Sequence, residues 1–400
     1  MYTFLLVLAL LAAVFGHTVL CLALVNRAHA TGIPIRVGKF IYLSLSVIVP
    51  GVPILFGYWF WIRAEHLGSP VGFATLPLAA TPYLGTCWLA AIAIGIHWFR
   101  RNMLEPPPDS LRSERRRILR LLRKPTGYGP EDHDLHFMVR LPGNQTLDLD
   151  VSERGIDLPS LPPELDGFSI LHLSDLHFTG KVPKSYFEEV VEICNDLAPD
   201  LVVVTGDLLD RQECLDWIPD TLGRLRGRYG TYFILGNHDV EVGPQVLRTA
   251  LKASNLVDLG GQFVELPVGK ETLILAGNEL PWLPPAADFA KAPPPSSRAG
   301  PVRIALSHSP DQLPWAQQNE VDLLLAGHLH GGQIRIPVLG PIVSPSWHGV
   351  RYASGLFHSP PTLMHVSRGI SGEIPLRLNC RPEVAKITLH TTVARNRLLE

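Results

Sequence analysis

Three stretches in the first hundred residues, 2–25, 40–62 and 71–99, contain no Asp, Glu, Lys or Arg. Each exceeds the roughly 20 apolar residues that a helix needs to cross a bilayer. Inside lipid a chain must satisfy its own N–H and C=O groups, so uncharged runs of this length are read as membrane helices. Pro50, Pro53, Pro77 and Pro82 are tolerated in such helices. Ala28-His29-Ala30 resembles a signal cleavage site, but no Lys or Arg precedes the first run, its apolar core is too long, and further runs follow at once. The expectation is a membrane domain over 1–100 with three uncleaved spans.

Basic residues near the ends of the runs set orientation. Arg27, Arg36 and Lys39 lie between the first two, whereas the second loop has only Arg63, opposed by Glu65. Arg100, Arg101, Arg112, Arg115, Arg116, Arg117, Arg120, Arg123 and Lys124 follow the third. The first loop and everything after the third run are therefore expected on the cytoplasmic side of a bacterial-type inner membrane. Leu111 to Lys124 mixes those arginines with Leu111, Ile118, Leu119, Leu121 and Leu122. That pattern predicts a basic helix within a linker over 101–129, lying on an anionic membrane surface or crossing solvent.

Beyond the linker, 130–400 reads as one α/β domain. Leu135 to Val139 and Thr146 to Val151, alternating around Pro142-Gly143-Asn144, suggest a hairpin. Phe168 to Leu173, Leu201 to Thr205, Thr231 to Leu235, Val302 to Leu306 and Val321 to Ala326 are short apolar runs, expected as buried strands. Ser185 to Leu197 and Asp216 to Arg228 have helical spacing.

A polar cluster follows every one of those strands. The clusters are Asp175-Leu176-His177, Gly206-Asp207, Gly236-Asn237-His238-Asp239, Ser307-His308 and Gly327-His328-Leu329-His330, the last continuing into Gly331-Gly332-Gln333. In open α/β sheets, ligands collect at the carboxyl ends of the strands. A Gly-Asp pair taken alone is as readily a turn. Five clusters in order, with Asp175 to Asp207 and Asp207 to Asn237 separated by 32 and 30 residues, are not so readily dismissed. The donors are carboxylate, amide and imidazole without cysteine, which favours Mn2+, with Fe and Zn2+ as alternatives. Two divalent ions need a shared carboxylate, and Asp207 sits centrally in the order.

Other histidines lack this support. His172 within a strand, His136 in the hairpin, and His348, His358 and His365 in the tail read as core or surface, with His348 or His358 as candidates to line a pocket. Asp210 reads equally as a turn residue or as a partner to a ligand. Pro281 to Pro301 is expected as a surface loop near the site mouth. The net charge of -2 gives no case for nucleic-acid binding. Five scattered cysteines imply no disulfide framework.

Leu161-Pro162, Leu165-Asp166-Gly167, Leu173-Ser174-Asp175-Leu176-His177, Gly327-His328-Leu329-His330-Gly331-Gly332-Gln333-Ile334 and Pro382-Glu383-Val384 together resemble the calcineurin-like metallophosphoesterase family. Within it they are similar to the membrane-associated YaeI/YkuE-like branch of bacterial phosphodiesterases, over about 130–395. The resemblance implies a four-layer αββα sandwich of two mixed sheets. It puts Asp175, His177, Asp207 and His330 on one ion, and Asp207, Asn237, His308 and His328 on the other. His238 would contact the phosphate and help the leaving group depart, with Asp239 orienting it, while a metal-bound hydroxide attacks in line. Leu329 stands where Thr is commoner, which leaves ligation intact. The implied partners are bilayer lipid and a phosphoester or pyrophosphate substrate. Relatives in this branch cleave UDP-2,3-diacylglucosamine in lipid A synthesis, so a lipid-linked substrate leads. Soluble nucleotides, or a non-catalytic metal-binding scaffold, are the alternatives.

Overall fold

The computed structural model describes residues 2–33, 35–67, 80–100, 104, 108–122, 135–298 and 300–392, which divide into two compact units, 1–106 and 107–400. In the first unit, α1 (Tyr2–His29), α2 (Ile35–Leu67) and α3 (Ala80–Phe99) are each long and apolar enough to cross a membrane. The part of the third expected span before Ala80 lies outside the described residues. His17 of α1 holds the bundle together, since its ring nitrogens meet the Tyr83 hydroxyl at 2.6 Å and the Ile48 carbonyl at 3.2 Å. A neutral imidazole has one acceptor and one donor, and this geometry uses both.

The second unit is built on two mixed sheets. β1 (Leu111–Arg120), β2 (Asp148–Asp157), β3 (Ser169–Leu173), β4 (Leu201–Thr205), β5 (Thr231–Ile234) and β6 (Val257–Asp258) belong to the first sheet. The second holds β7 (Phe263–Val268), β8 (Glu271–Asn278), β9 (Val302–Ser307) and β10 (Leu323–Ala326). After a short two-stranded hairpin, β11 (Arg335–Ile336) and β12 (Gly340–Pro341), the second sheet is completed by β13 (Gly355–Ser359) and β14 (Thr362–Val366). β15 (Glu383–His390) then returns to the first sheet between β2 and β3. β3 to β6 run parallel, as do β8, β9, β10 and β14.

Alternate side chains on each strand serve two different cores. Leu201 and Val203 of β4 point between the sheets towards Leu275, Ile304 and Leu325. Val202 and Val204 point outward to a layer formed by α4 (Lys184–Asp196) and α6 (Pro244–Ala253). Between those helices in the chain lies the short α5 (Asn237–Val242). On the far side Leu324 and Ala326 meet Leu313 and Ala316 of α7 (Leu313–Gln318). The result is helix, sheet, sheet, helix. Covering both faces is why these strands read as continuous apolar runs.

Three local expectations are overturned. Leu111 to Arg120 is a strand, not a basic helix, and it pairs antiparallel with β2 at the edge of the first sheet. Arg112, Arg116 and Arg120 form ion pairs with Asp157, Asp150 and Asp148 of β2, so acids across the sheet decide a segment whose composition suits a helix. A charged edge also discourages pairing with another chain. The folded unit consequently begins before residue 130; residues 123 and 124 of the expected helix lie outside the described residues. Leu135 to Val139 does not pair as a hairpin but enters a 3-10 turn, Phe137–Arg140, while β2 pairs with β1 and β15. Asp216 to Arg228 forms no α-helix but two 3-10 segments, Gln212–Trp217 and Leu222–Arg224. Pro219 removes a helix donor there, and Gly223 and Gly227 lower the helix propensity of the residues after it.

Candidate metal centre

The loops after β3, β4, β5, β9 and β10 interlock at one end of the paired sheets. Asp175 N–H donates to the Gly206 carbonyl at 3.0 Å, and His177 N–H to the Asp207 carbonyl at 3.0 Å. To turn their side chains inward the loops adopt unusual backbone. Asp175, His177, Asp207, His328 and His330 have φ of 52°, 47°, 52°, 72° and 48°, in the left-handed region that L-residues rarely visit. Such strain persists only where surrounding structure enforces it, and it concentrates at functional sites. Gly206 and Gly236 permit the close approach. A Cβ on Gly206 would lie 2.7 Å from His308 Nδ1, and one on Gly236 would collide with the Asp207 carboxylate.

The seven residues expected as ligands come together in two overlapping groups. Asp175, His177, Asp207 and His330 form one, and Asp207, His308 and His328 another, with ligand atoms in each group within 4.8 Å of one another. Asn237 joins the second group through its Oδ1, 3.1 Å from His308 Nε2. Asp207 belongs to both groups, its Oδ2 lying 3.6 Å from His177 Nε2 and 3.2 Å from His308 Nε2.

The outward-facing nitrogens establish what the centre can hold. His177 Nδ1 meets the Asp210 carboxylate at 2.8 Å, His330 Nδ1 the Ser371 carbonyl at 3.2 Å, and His308 Nδ1 the Thr205 carbonyl at 2.7 Å. The acceptors place a proton on Nδ1 of His177 and His308, while His330 Nδ1 also has the Arg377 guanidinium 3.4 Å away, and all three rings turn Nε2 inward. The Nε2 atoms of His177 and His330 face each other at 3.2 Å, beside the oxygens of Asp175 and Asp207. Buried carboxylate oxygens and imidazole nitrogens converging on one space fit cations.

Charges shift accordingly. Burial raises the Asp207 carboxyl, but His308, His238 and His177 outweigh it and hold it well below the usual range. Burial opposes protonation of His308 as well, yet Asp207 and then Asp175 push it up to about 9. His330 is pushed down to about 3, chiefly by burial. Bound cations would take the place of these protons.

Beside the metal loops stands His238, whose ring is held by Asp210 Oδ1 at 2.6 Å. Burial resists its protonation, but Asp207 and Asp210 push it up to about 10, a charge suited to a phosphate oxygen. Asp239 was expected to orient this imidazole, and it does not. It sits at the third position of α5, fully buried, accepting N–H bonds from Leu208, Leu209 and Gly236 at 2.9, 3.0 and 2.8 Å. The local reason is a capping arrangement, in which the carboxylate turns back onto the helix start. Asp210 is the carboxylate that clamps both His177 and His238.

Sequence reasoning missed two further features. Trp282, in the Pro-rich insertion, faces His308 and His328 with ring centroids 5.4 and 4.9 Å away. Beneath the site, Arg154, His365, His172 and Thr205 form a buried chain between the sheets with contacts of 2.6, 2.9 and 2.9 Å. Arg154 can only donate, so the direction is set. His365 gives its Nδ1 proton to His172, and His172 its Nε2 proton to Thr205, the residue whose carbonyl orients His308. Burial pushes His172 down to about 3, keeping it neutral. Of the other histidines, His348 packs on Tyr352, His358 is exposed on β13, and His136 caps the 3-10 turn.

Carboxylates and imidazoles at the ends of strands from two packed mixed sheets, with an imidazole poised beside them, define a metallophosphoesterase. The calcineurin-like phosphoesterase family model matches residues 168–332, and the chain belongs to that family. Phosphodiesterase YaeI of Escherichia coli K12 is 33% identical over 227 residues, covering 56% of this chain and 82% of that protein. The uncharacterised metallophosphoesterase YkuE of Bacillus subtilis is 30% identical over 257 residues, covering 61% and 86%. A transmembrane protein with metallophosphoesterase domain from Danio rerio is 30% identical over 251 residues, covering 58% and 56%.

Proposed function

We propose that the chain is a membrane-anchored two-metal phosphodiesterase or pyrophosphatase whose catalytic domain works at the cytoplasmic face. The observation that carries this reading is the set of inward-facing carboxylate oxygens and imidazole nitrogens grouped around Asp207, with His238 beside it. Asp175, His177, Asp207 and His330 would hold one cation, and Asp207, Asn237, His308 and His328 the other. Mn2+ is the proposed metal. When bound, such a pair lowers the pKa of coordinated water and neutralises charge on phosphorus oxygens. The protein's own groups do the rest. Asp210 holds His238 in one orientation, and the His238 imidazolium donates to the departing oxygen. Thr205 and Ser371 carbonyls hold the His308 and His330 rings with Nε2 facing inward.

Three spans on the same chain favour a lipid-linked or membrane-proximal phosphoester, with UDP-2,3-diacylglucosamine the substrate to try first. Full-length protein in detergent with Mn2+ should hydrolyse bis(p-nitrophenyl) phosphate, and prefer the lipid substrate if that reading is right. Asp207→Ala and His238→Ala should each abolish turnover. Metal binding without cleavage of either compound would instead indicate a scaffold.

A further inference from the structure

Directly after the metal loop, the chain runs through residues 334–347, an apolar segment held at the surface. Ile334, Ile336, Val338, Leu339, Val343 and Trp347 are 44, 41, 80, 51, 44 and 52% exposed. From Ile336 to Trp347 there is no Asp, Glu, Lys or Arg. The β11–β12 hairpin stands apart from both main sheets, with Pro337-Val338-Leu339 at its tip. Val338 is held at φ 69°, an uncommon conformation for a β-branched residue.

This segment is not a loose loop. Arg335 donates from its side chain to the Gly331 carbonyl at 2.7 Å and to Ser354 at 2.6 Å, and its N–H donates to the Leu378 carbonyl at 2.9 Å. At the other end Asp311 accepts from Ser346 Oγ at 2.6 Å and from Trp347 N–H at 3.0 Å. Ile374, 50% exposed, is tied to the same rim by Gln333 Nε2, 2.5 Å from its carbonyl. A rigid, uncharged, apolar projection at the lip of the metal centre marks an interaction surface.

Its occupant follows from the rest of the chain. Three helices able to span a membrane confine this domain to a bilayer, so lipid is the one apolar phase always at hand. The segment is too short to cross the hydrocarbon, which leaves insertion at the interface. Trp347 at its edge, Arg335 at its start and Arg351 just beyond it are residue types that settle at headgroup level. We propose that residues 334–347 form a bilayer-docking hairpin, which partitions into the lipid interface and seats the rim of the metal centre against the membrane. This rests on the membrane association of the chain and not on any particular substrate.

The test uses full-length protein in phosphatidylcholine and phosphatidylglycerol vesicles, with an NBD fluorophore on Val338→Cys. Lys270→Cys, in the exposed turn between β7 and β8, serves as the comparison site. The five native cysteines are buried and compete little for label. Lipids brominated along the acyl chain should quench the Val338 label several-fold more than the Lys270 label. Adding Leu339→Asp should remove that difference, while hydrolysis of soluble bis(p-nitrophenyl) phosphate is unchanged. Equal, weak quenching at both sites would overturn docking. So would blue-shifted emission at Val338 without lipid quenching, since another protein surface would then cover the hairpin. Quenching and emission shift do not depend on turnover, so docking can fail while the hydrolase reading stands, and the reverse.

Discussion

Replacing Asp210 by Asn should impair the centre without touching a proposed metal ligand. Its two oxygens accept from His177 Nδ1 at 2.8 Å and His238 Nδ1 at 2.6 Å, so both imidazoles depend on one carboxylate. An amide offers one oxygen and one NH2, and whichever ring faces the NH2 meets donor against donor. The loss is one hydrogen bond to a charged group, about 1.5–3 kcal/mol. At about 1.4 kcal/mol per decade that is roughly 10- to 150-fold, the range typical when a partner of a metal ligand is removed. The route of the loss is informative. If the amide oxygen stays with His177, Mn2+ affinity holds and kcat falls; if it stays with His238, metal affinity falls. Calorimetric Mn2+ titration together with bis(p-nitrophenyl) phosphate kinetics on full-length protein separates the two. Asp210→Asn with metal affinity and kcat/KM both within twofold of native would refute the assignment of Asp210 as the clamp.

Asp239→Asn should act differently, lowering thermal stability by about 1–3 kcal/mol through its buried backbone N–H partners, measured as a drop in Tm in the metal-free protein. His172→Ala leaves His365 Nδ1 without its acceptor and Thr205 Oγ1 without its donor in the core, and should cost about 2–4 kcal/mol by thermal melt; a melt like the native one would dismiss the buried chain. Because His308 is pushed up to about 9, it is protonated at neutral pH without metal and must lose that proton to ligate. Mn2+ affinity should therefore rise with pH and level off near 9, with proton release visible when calorimetry is repeated in buffers of different ionisation enthalpy; pH-independent binding would contradict this. A soluble fragment beginning at Pro125 lacks β1 and exposes the edge of β2, so it should melt earlier or aggregate relative to one beginning at Pro107.

Whatever is local can be read from the chain unaided. The three spans are legible because hydrocarbon imposes its demand residue by residue, and helices stand where the uncharged runs fall. The donors of the centre are legible because each directly follows an apolar strand, so that one-dimensional order already encodes the ends of a sheet. Partnerships across the sheets are a different matter. Leu111 to Arg120 has helix-forming composition, and its partners on the facing strand, Asp148, Asp150, Arg154 and Asp157, make it a sheet edge. Asp239 adjoins His238 in sequence, yet a helix start turns it onto backbone, while Asp210, 28 residues earlier, reaches the ring. His172 and His365 are 193 residues apart and acquire meaning only when two sheets stack. Tertiary structure decided these because hydrogen-bond partners are chosen by direction and distance in space, which spacing along the chain does not record.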